Sequence, residues 1–166
     1  MRETEIFAPS LDEAMELYKQ TVYGLAVSQL RLKSEADDVF QEVFLTYFRK
    51  KPQCPNEQAL RAWLVRTTLN LCRRSNKSIW NTRVDKQEKA GEELTVEFLS
   101  KEENEVYTAV RSLKEKYRVP VWLYYFEEMT EKDIADVLGL SAGAVKMRLS
   151  RARKMLKKRL EGEYFE

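Results

Sequence analysis

The segment EKDIADVLGLSAGAVKMRLSRARKMLKKRL, Glu131 to Leu160, constrains the fold more than any other stretch of this chain. Counted from Glu131, a small residue stands fifth (Ala135), a glycine ninth (Gly139) and a branched apolar residue fifteenth (Val145). Each place answers a physical demand. Two helices that cross closely need a small side chain at the crossing. The tight turn between them needs a residue that accepts a left-handed backbone. An apolar side chain must then fill the angle, here Val145 helped by Ile134, Leu138 and Leu140. Thr130 and Ser141 stand where N-caps belong. The spacing predicts a helix over Glu131–Leu138, a turn, and a second helix opened by Ser141.

That second helix carries two patterns at once. Val145, Leu149, Ala152 and Leu156 form a thin apolar seam, and Ser141–Leu160 also holds eight basic residues and no acidic one. The seam packs the helix onto its own domain and leaves the other faces free for a polyanion. In helix-turn-helix proteins the second helix meets base edges with its N-terminal residues. Ser141, Ala142 and Gly143 are small, which permits close approach. Lys146 and Ser150 lie further along a similar face, within reach of bases or phosphates. Arg148, Arg151, Arg153 and Lys154 suit phosphates, which position a protein without specifying sequence. The competing reading is an αα-hairpin with a basic, soluble tail.

Charge elsewhere is also segregated. Residues 1–48 carry net −5, residues 49–86 net +8, residues 87–105 net −5, residues 106–140 net −1 and residues 141–166 net +5. Two cationic blocks separated by an acidic one point to two contacts with a polyanion, against the plainer reading of two solvated helix faces.

The rest of the chain reads as helices. Ser10 and Glu13 form a capping-box pattern that opens a helix to about Arg31, with Leu17, Val22, Leu25 and Leu30 in it. Ser34 is placed to cap the next, with Asp37 at the capping-box position; Ala36, Val39, Phe40, Val43, Phe44 and Tyr47 give its buried face. Asn56 caps a third, with a seam of Leu60, Trp63, Leu64, Thr67 and Leu71. From about Ser75 to Leu94 the pattern dissolves. A fourth helix is expected over roughly Val96–Lys116, burying Val106, Ala109, Val110 and Leu113. Pro120 is placed to start another, since its missing N–H is not needed there. The expected fold is all-α: a helical domain over residues 1–75, a flexible linker over 76–95, and a helix-turn-helix domain over 96–166.

Two further surfaces stand out. Asp38, Gln41, Glu42 and Leu45 line the second helix opposite its buried face, an exposed leucine framed by acids and an amide that suits protein docking as well as it suits a solvated face with one stray leucine. On the third helix, Arg66, Asn70, Arg73 and Arg74 lie beside an aromatic-containing seam. Cations with aromatics suit single-stranded DNA, because rings stack on bases while charges hold the backbone. Trp63, Tyr47 and Trp80 are the candidate rings, though a tryptophan such as Trp63 is more often core than platform.

Catalysis finds no support. The chain has no histidine, which removes Ser-His-Asp and Cys-His nucleophile systems and imidazole zinc sites, and it has no Gly-rich phosphate loop. No catalytic residue, metal ligand or cofactor site is expected. Cys54 and Cys72 stand apart with no CxxC pair and read as ordinary reduced cysteines, against the alternative of a disulfide or thiol chemistry. No apolar run approaches membrane-spanning length and MRETEIFAPS has no signal-peptide core, so the expected location is the cytoplasm.

DDVFQEVFLTYF, RAWLVRTTLNLCRR and LKEKYRVPVWLYYFEEMTEKDIADVLGLSAGAVKMRLSRARKML, in that order, resemble an extracytoplasmic-function sigma factor over nearly the whole chain. The resemblance implies a protein that binds core RNA polymerase and directs it to promoters. It implies that the segment matching Asp37, Asp38, Gln41, Glu42 and Phe44 docks on the polymerase clamp helices. The segment matching Trp63 to Arg74 would face the melted −10 element, and that matching Ser141 to Arg153 would enter the −35 major groove. An anti-sigma factor, often membrane-anchored, commonly covers the polymerase-binding face in this family, and Leu45 with its neighbours is a candidate shared surface. The chain departs from the family pattern at Ala144, where Thr is frequent, at Leu113-Lys114, where Leu-Pro is frequent, and after Asn70, where no acidic residue precedes Arg73-Arg74. Promoter sequence therefore does not carry over. The alternatives are a stand-alone helix-turn-helix regulator, which would need to dimerise to read two half-sites, and an all-helical adaptor.

Overall fold

The computed structural model describes the backbone of residues 5–81 and 100–164, and the side chains of 5–77 and 100–161. Every element in them is a helix, apart from one antiparallel bridge in which the Phe7 N–H donates to the Cys54 carbonyl at 2.7 Å. The chain divides into two compact units, within residues 1–94 and 95–166.

The first unit holds α1 (Leu11–Gln29), α2 (Lys33–Lys50) and α3 (Glu57–Asn81), each packed on the other two. Ser10 caps α1, its hydroxyl accepting from the Glu13 N–H. Asn56 caps α3 through the Ala59 N–H at 2.8 Å. Ala14, Val22, Leu25, Leu30, Val43, Leu60 and Leu64 are buried at the centre. Leu17, by contrast, is exposed.

Three expectations change here. Ser34 is not the cap of α2: Leu32 takes that place in extended backbone, with no side-chain hydrogen bond, and Ser34 falls inside the first turn. Leu30 is buried at the end of α1, so only two residues remain before α2 begins. The buried face of α3 is broader than the predicted seam and turned from it. It runs through Leu60, Leu64, Val65, Thr68, Leu69 and Cys72, leaving Trp63, Thr67 and Leu71 half-buried. Thr68 tolerates full burial because its hydroxyl donates one turn back to the Leu64 carbonyl at 2.7 Å. The helix also continues past Ser75 to Asn81, where the Asn76 amide reaches the Gln29 carbonyl at the end of α1. Residues 82–95 of the expected linker lie outside the described residues.

The second unit holds α4 (Lys101–Arg111), α5 (Glu115–Tyr125), α6 (Glu131–Leu138) and α7 (Ala142–Tyr164). One long helix to Lys116 was expected; instead α4 starts at a complete capping box on Ser100 and ends at Arg111. The break is held from across the turn, because the Arg118 guanidinium donates to the Leu113 carbonyl at 2.9 Å and occupies an acceptor that a helix end would leave bare. Pro120 therefore lies inside α5 rather than at its start. An interior proline removes a backbone hydrogen bond. Burial of Tyr117, Val119, Val121, Trp122 and Leu123 offsets that loss. Ala109, Val110 and Leu113 are buried as expected, but Val106 is exposed and the neighbouring Tyr107 is buried instead, edge-on to Trp122 at 5.6 Å.

Candidate nucleic-acid and protein interfaces

The α6–α7 pair has the predicted construction. The Thr130 hydroxyl accepts from the Asp133 N–H at 3.1 Å and opens α6. Gly139 ends it with φ 66° and ψ 35°, a left-handed conformation that L-residues with a Cβ resist. Its N–H and that of Leu140 both turn back to the Ala135 carbonyl. Ser141 then accepts from the Ala144 N–H at 3.1 Å and opens α7. Ile134, Val145, Leu149 and Ala152 are fully buried, and Ala135, Val137 and Leu156 nearly so. The seam therefore faces the unit's core, and Ser141, Ala142, Gly143, Lys146, Ser150 and Arg151 are exposed on the other faces. A side chain built at Gly143 would meet nothing within 4 Å, so the leading turn is open.

Two arginines of this helix are less free than the sequence implied. Arg148 is half-buried. Arg153 is exposed, but its Nε donates to the Tyr125 hydroxyl at 2.7 Å and its guanidinium lies 5.4 Å from the Tyr124 ring centre. The bond to Tyr125 pushes its pKa further up, against the opposing effect of burial and with lesser help from Tyr124 and Glu131. Arg153 thus clasps the end of α5. Burial raises the Tyr117 phenol, yet the hydrogen bonds and charges of Lys116 and Arg151 outweigh it and leave the pKa below the usual tyrosine value. Positive charge is concentrated on that flank.

On α3, Arg66, Asn70 and Arg73 follow one another at helical spacing and are exposed, as are Arg74 and Lys77; Lys77 extends the stripe by a turn and was not singled out from sequence. Trp63 borders it, half-buried, its ring edge-on to Tyr47 at 6.1 Å. Tyr47 itself is core: it is buried and its hydroxyl donates to the Pro9 carbonyl. The side chain of Trp80 lies outside the described residues. Cys54 and Cys72 are free, buried thiols, and burial raises the pKa of Cys54 against the opposing charge of Arg66.

On α2, Asp38 and Gln41 are exposed and Asp37 is half-buried. Glu42 is also half-buried and pairs with Arg49 at 2.8 Å. Leu45 is 51% exposed, and Phe48 beside it 56%. Phe48, three residues after Leu45, continues that stripe and was not singled out from sequence. Phe44 is the opposite case: at 3% exposure, packed on Phe40 at 5.0 Å, it shapes the helix from inside and presents no surface to a partner.

Among the described residues, no group of three or more His, Cys, Asp or Glu is placed to hold a metal ion, and no helix is long and apolar enough to cross a membrane.

Comparison with known proteins agrees with this division. Residues 14–81 match the family Sigma-70 region 2, and residues 103–156 match Sigma-70, region 4, so the two stretches fall one in each unit. RNA polymerase sigma factor SigV of Bacillus subtilis is 29% identical over 156 residues, covering 88% of both chains. ECF RNA polymerase sigma factor SigW of the same organism is 26% identical, covering 89% of this chain and 87% of its own. Among solved structures, the sigma factor RpoE in complex with the anti-sigma factor NepR, from Bartonella quintana, superposes with a TM-score of 0.75 at 19% identity, over 90% of this chain and 96% of that one. CnrH in complex with the cytosolic domain of CnrY gives a TM-score of 0.69 at 24% identity, over 92% and 88%. With both conserved regions present, in order and in separate helical units, the chain belongs to the extracytoplasmic-function RNA polymerase sigma factors, which are not enzymes but the subunits through which core polymerase recognises promoters.

Proposed function

We propose that this sigma factor reads a bipartite promoter, the unit of α4–α7 binding the −35 element as duplex and the unit of α1–α3 binding and helping to melt the −10 element. The observation that carries it is the division of α7 into a buried seam and a cationic open face, with the small residues Ser141, Ala142 and Gly143 leading. In the −35 groove those three allow close approach, Lys146 and Ser150 reach bases or phosphates, and Arg148 and Arg151 hold phosphates. Arg153 acts by bracing α7 on Tyr124 and Tyr125. At the −10 element, Arg66, Asn70, Arg73 and Arg74 track the single strand, with Trp63 at its edge.

Core polymerase docks on α2 through Asp38, Gln41, Glu42 and Leu45; Asp37 borders this face and Phe44 supports it from the core. An anti-sigma factor competes for the same surface. Support for that partner is the similar structure described as the sigma factor RpoE in complex with the anti-sigma factor NepR. The protein works in the cytoplasm, where polymerase is.

The test is footprinting of a holoenzyme assembled from core polymerase and the full chain. Permanganate-reactive thymines should mark a bubble near −10 and should fade in Asn70→Ala or Arg73→Ala. Protection near −35 should be lost in Gly143→Glu, which puts bulk and a repelled charge at the groove. Unchanged footprints in all three variants contradict the assignment.

A further inference from the structure

We propose that Met147 determines specificity at the −35 element by contacting a thymine methyl group in the major groove. The inference rests on the reading of α6–α7 as the −35 interface and adds to it a chemical preference.

The core seam of α7 fixes which way the helix faces. Val145, Leu149 and Ala152 are fully buried, so the opposite side of a 3.6-residue helix carries Gly143, Met147, Ser150 and Lys154. All four are exposed. Met147 is 54% exposed, at the middle of the face and within two turns of the helix start. Helical side chains lean toward the N-terminus, so its thioether extends over the turn that contains Gly143. Gly143 contributes no side chain, and the space around it is open for 4 Å. Ser150, one turn after Met147, is short. Met147 is therefore the longest reach at the centre of the leading face, and it is apolar in a segment otherwise dominated by cations.

A major-groove floor is almost wholly polar, a pattern of donors and acceptors that lysine, arginine, serine or an amide would answer. Its one apolar group is the C5-methyl of thymine. A flexible, polarizable thioether fits that group and gains nothing from the polar edges of guanine or cytosine. Met155, the helix's other exposed methionine, lies eight residues on, on the flank beside the seam, and takes no part in this contact.

The experiment isolates the methyl group. Holoenzyme made from core polymerase and the full chain selects its preferred −35 duplex from a randomised pool. Each thymine of that duplex, on both strands, is then replaced singly by deoxyuridine, which removes the methyl and leaves every hydrogen bond. A buried methyl of this size corresponds to about a fourfold change in affinity. One position should show that loss with the wild-type protein. Met147→Ala should bind the thymine and deoxyuridine duplexes equally, at about the wild-type level for deoxyuridine, and Met147→Leu should retain the difference. Because Met147 is outside the core, the alanine variant should keep its thermal midpoint. The proposal is overturned if no thymine is methyl-sensitive with the wild type, or if the sensitivity survives in Met147→Ala. A wild-type holoenzyme that selects no −35 sequence would instead overturn the reading of α6–α7 itself, so the two failures are distinguishable.

Discussion

The same substitution at two glycines four residues apart should change stability in opposite directions. Gly139 sits at φ 66° and Gly143 within α7, and a Cβ built on either meets nothing within 4 Å. Sterics with neighbours therefore drop out and only backbone conformation remains. At Gly139, alanine must adopt the left-handed region at a cost of roughly 1–2 kcal/mol. Reduced freedom of the unfolded chain offsets roughly 0.4–1 kcal/mol of that. The net expectation for Gly139→Ala is a loss of about 1 kcal/mol. At Gly143 the backbone is already helical and alanine only removes unfolded-state freedom, for a gain of about 0.5 kcal/mol, the low end of the usual range because the site is in the first turn. The gap of about 1.5 kcal/mol corresponds to roughly 6–12 °C in thermal midpoint for a unit of this size. Gly139→Asn should fall between Gly139→Ala and wild type, since asparagine tolerates the left-handed region better. Native-state hydrogen exchange on the full chain, read at the amides of Ile134 and Leu149, isolates this unit from the other. Equal or greater protection in Gly139→Ala than in wild type would refute the argument that the turn requires a left-handed residue.

Three other perturbations probe the remaining surfaces. Leu45→Arg and Phe48→Asp should each weaken binding to core polymerase at least tenfold in a fluorescence titration while leaving the thermal midpoint within about 4 °C, because surface substitutions stay within about 0.5 kcal/mol. Tyr125→Phe should lower the midpoint by a few degrees, for loss of one exposed hydrogen bond of roughly 0.5–1.5 kcal/mol, and leave the salt dependence of DNA binding unchanged; Arg151→Ala should reduce the slope of log affinity against log salt by about one. Burial, with a further push from the Glu57 carboxylate, raises the Tyr18 phenol to about 12. A raised folded-state value means the neutral phenol stabilises the fold fully below pH 10, and that contribution fades as pH rises toward 12. Chemical denaturation between those limits should show the loss in wild type and a smaller one in Tyr18→Phe.

What could be read from sequence depended on how local the governing physics was. Gly139, Ala135, Thr130 and Ser141 act within one or two turns, and the α6–α7 pair appeared as expected. Distant partners were harder to foresee. The break between α4 and α5 depends on Arg118 reaching back to the Leu113 carbonyl, and nothing in the helical period of residues 96–116 announces it. Pro120 resembles a helix start until the packing around Trp122 is known. The face of α3 turned because the helix is enclosed by both α1 and α2, which widens its buried surface to include Thr68 and Cys72. On the candidate surfaces, the spacing of Asp38, Gln41, Glu42 and Leu45 marked one stripe correctly as lying off the core, and the period placed Phe44 on the buried face, but exposed Phe48, three residues after Leu45, was not added to the stripe. Met147 was hidden because a methionine in a basic helix carries no motif. Its position opposite the seam becomes informative only once the seam is known to be buried.

The central claim is that two helical units of one chain direct core polymerase to a promoter. Transcription from a genomic template library with purified core polymerase, the full chain, or both tests it most directly. Discrete transcripts with common −35 and −10 sequences should arise only when both are present. The same transcripts from core polymerase alone, or none from the mixture alongside tight polymerase-independent binding to a palindromic duplex, would contradict it.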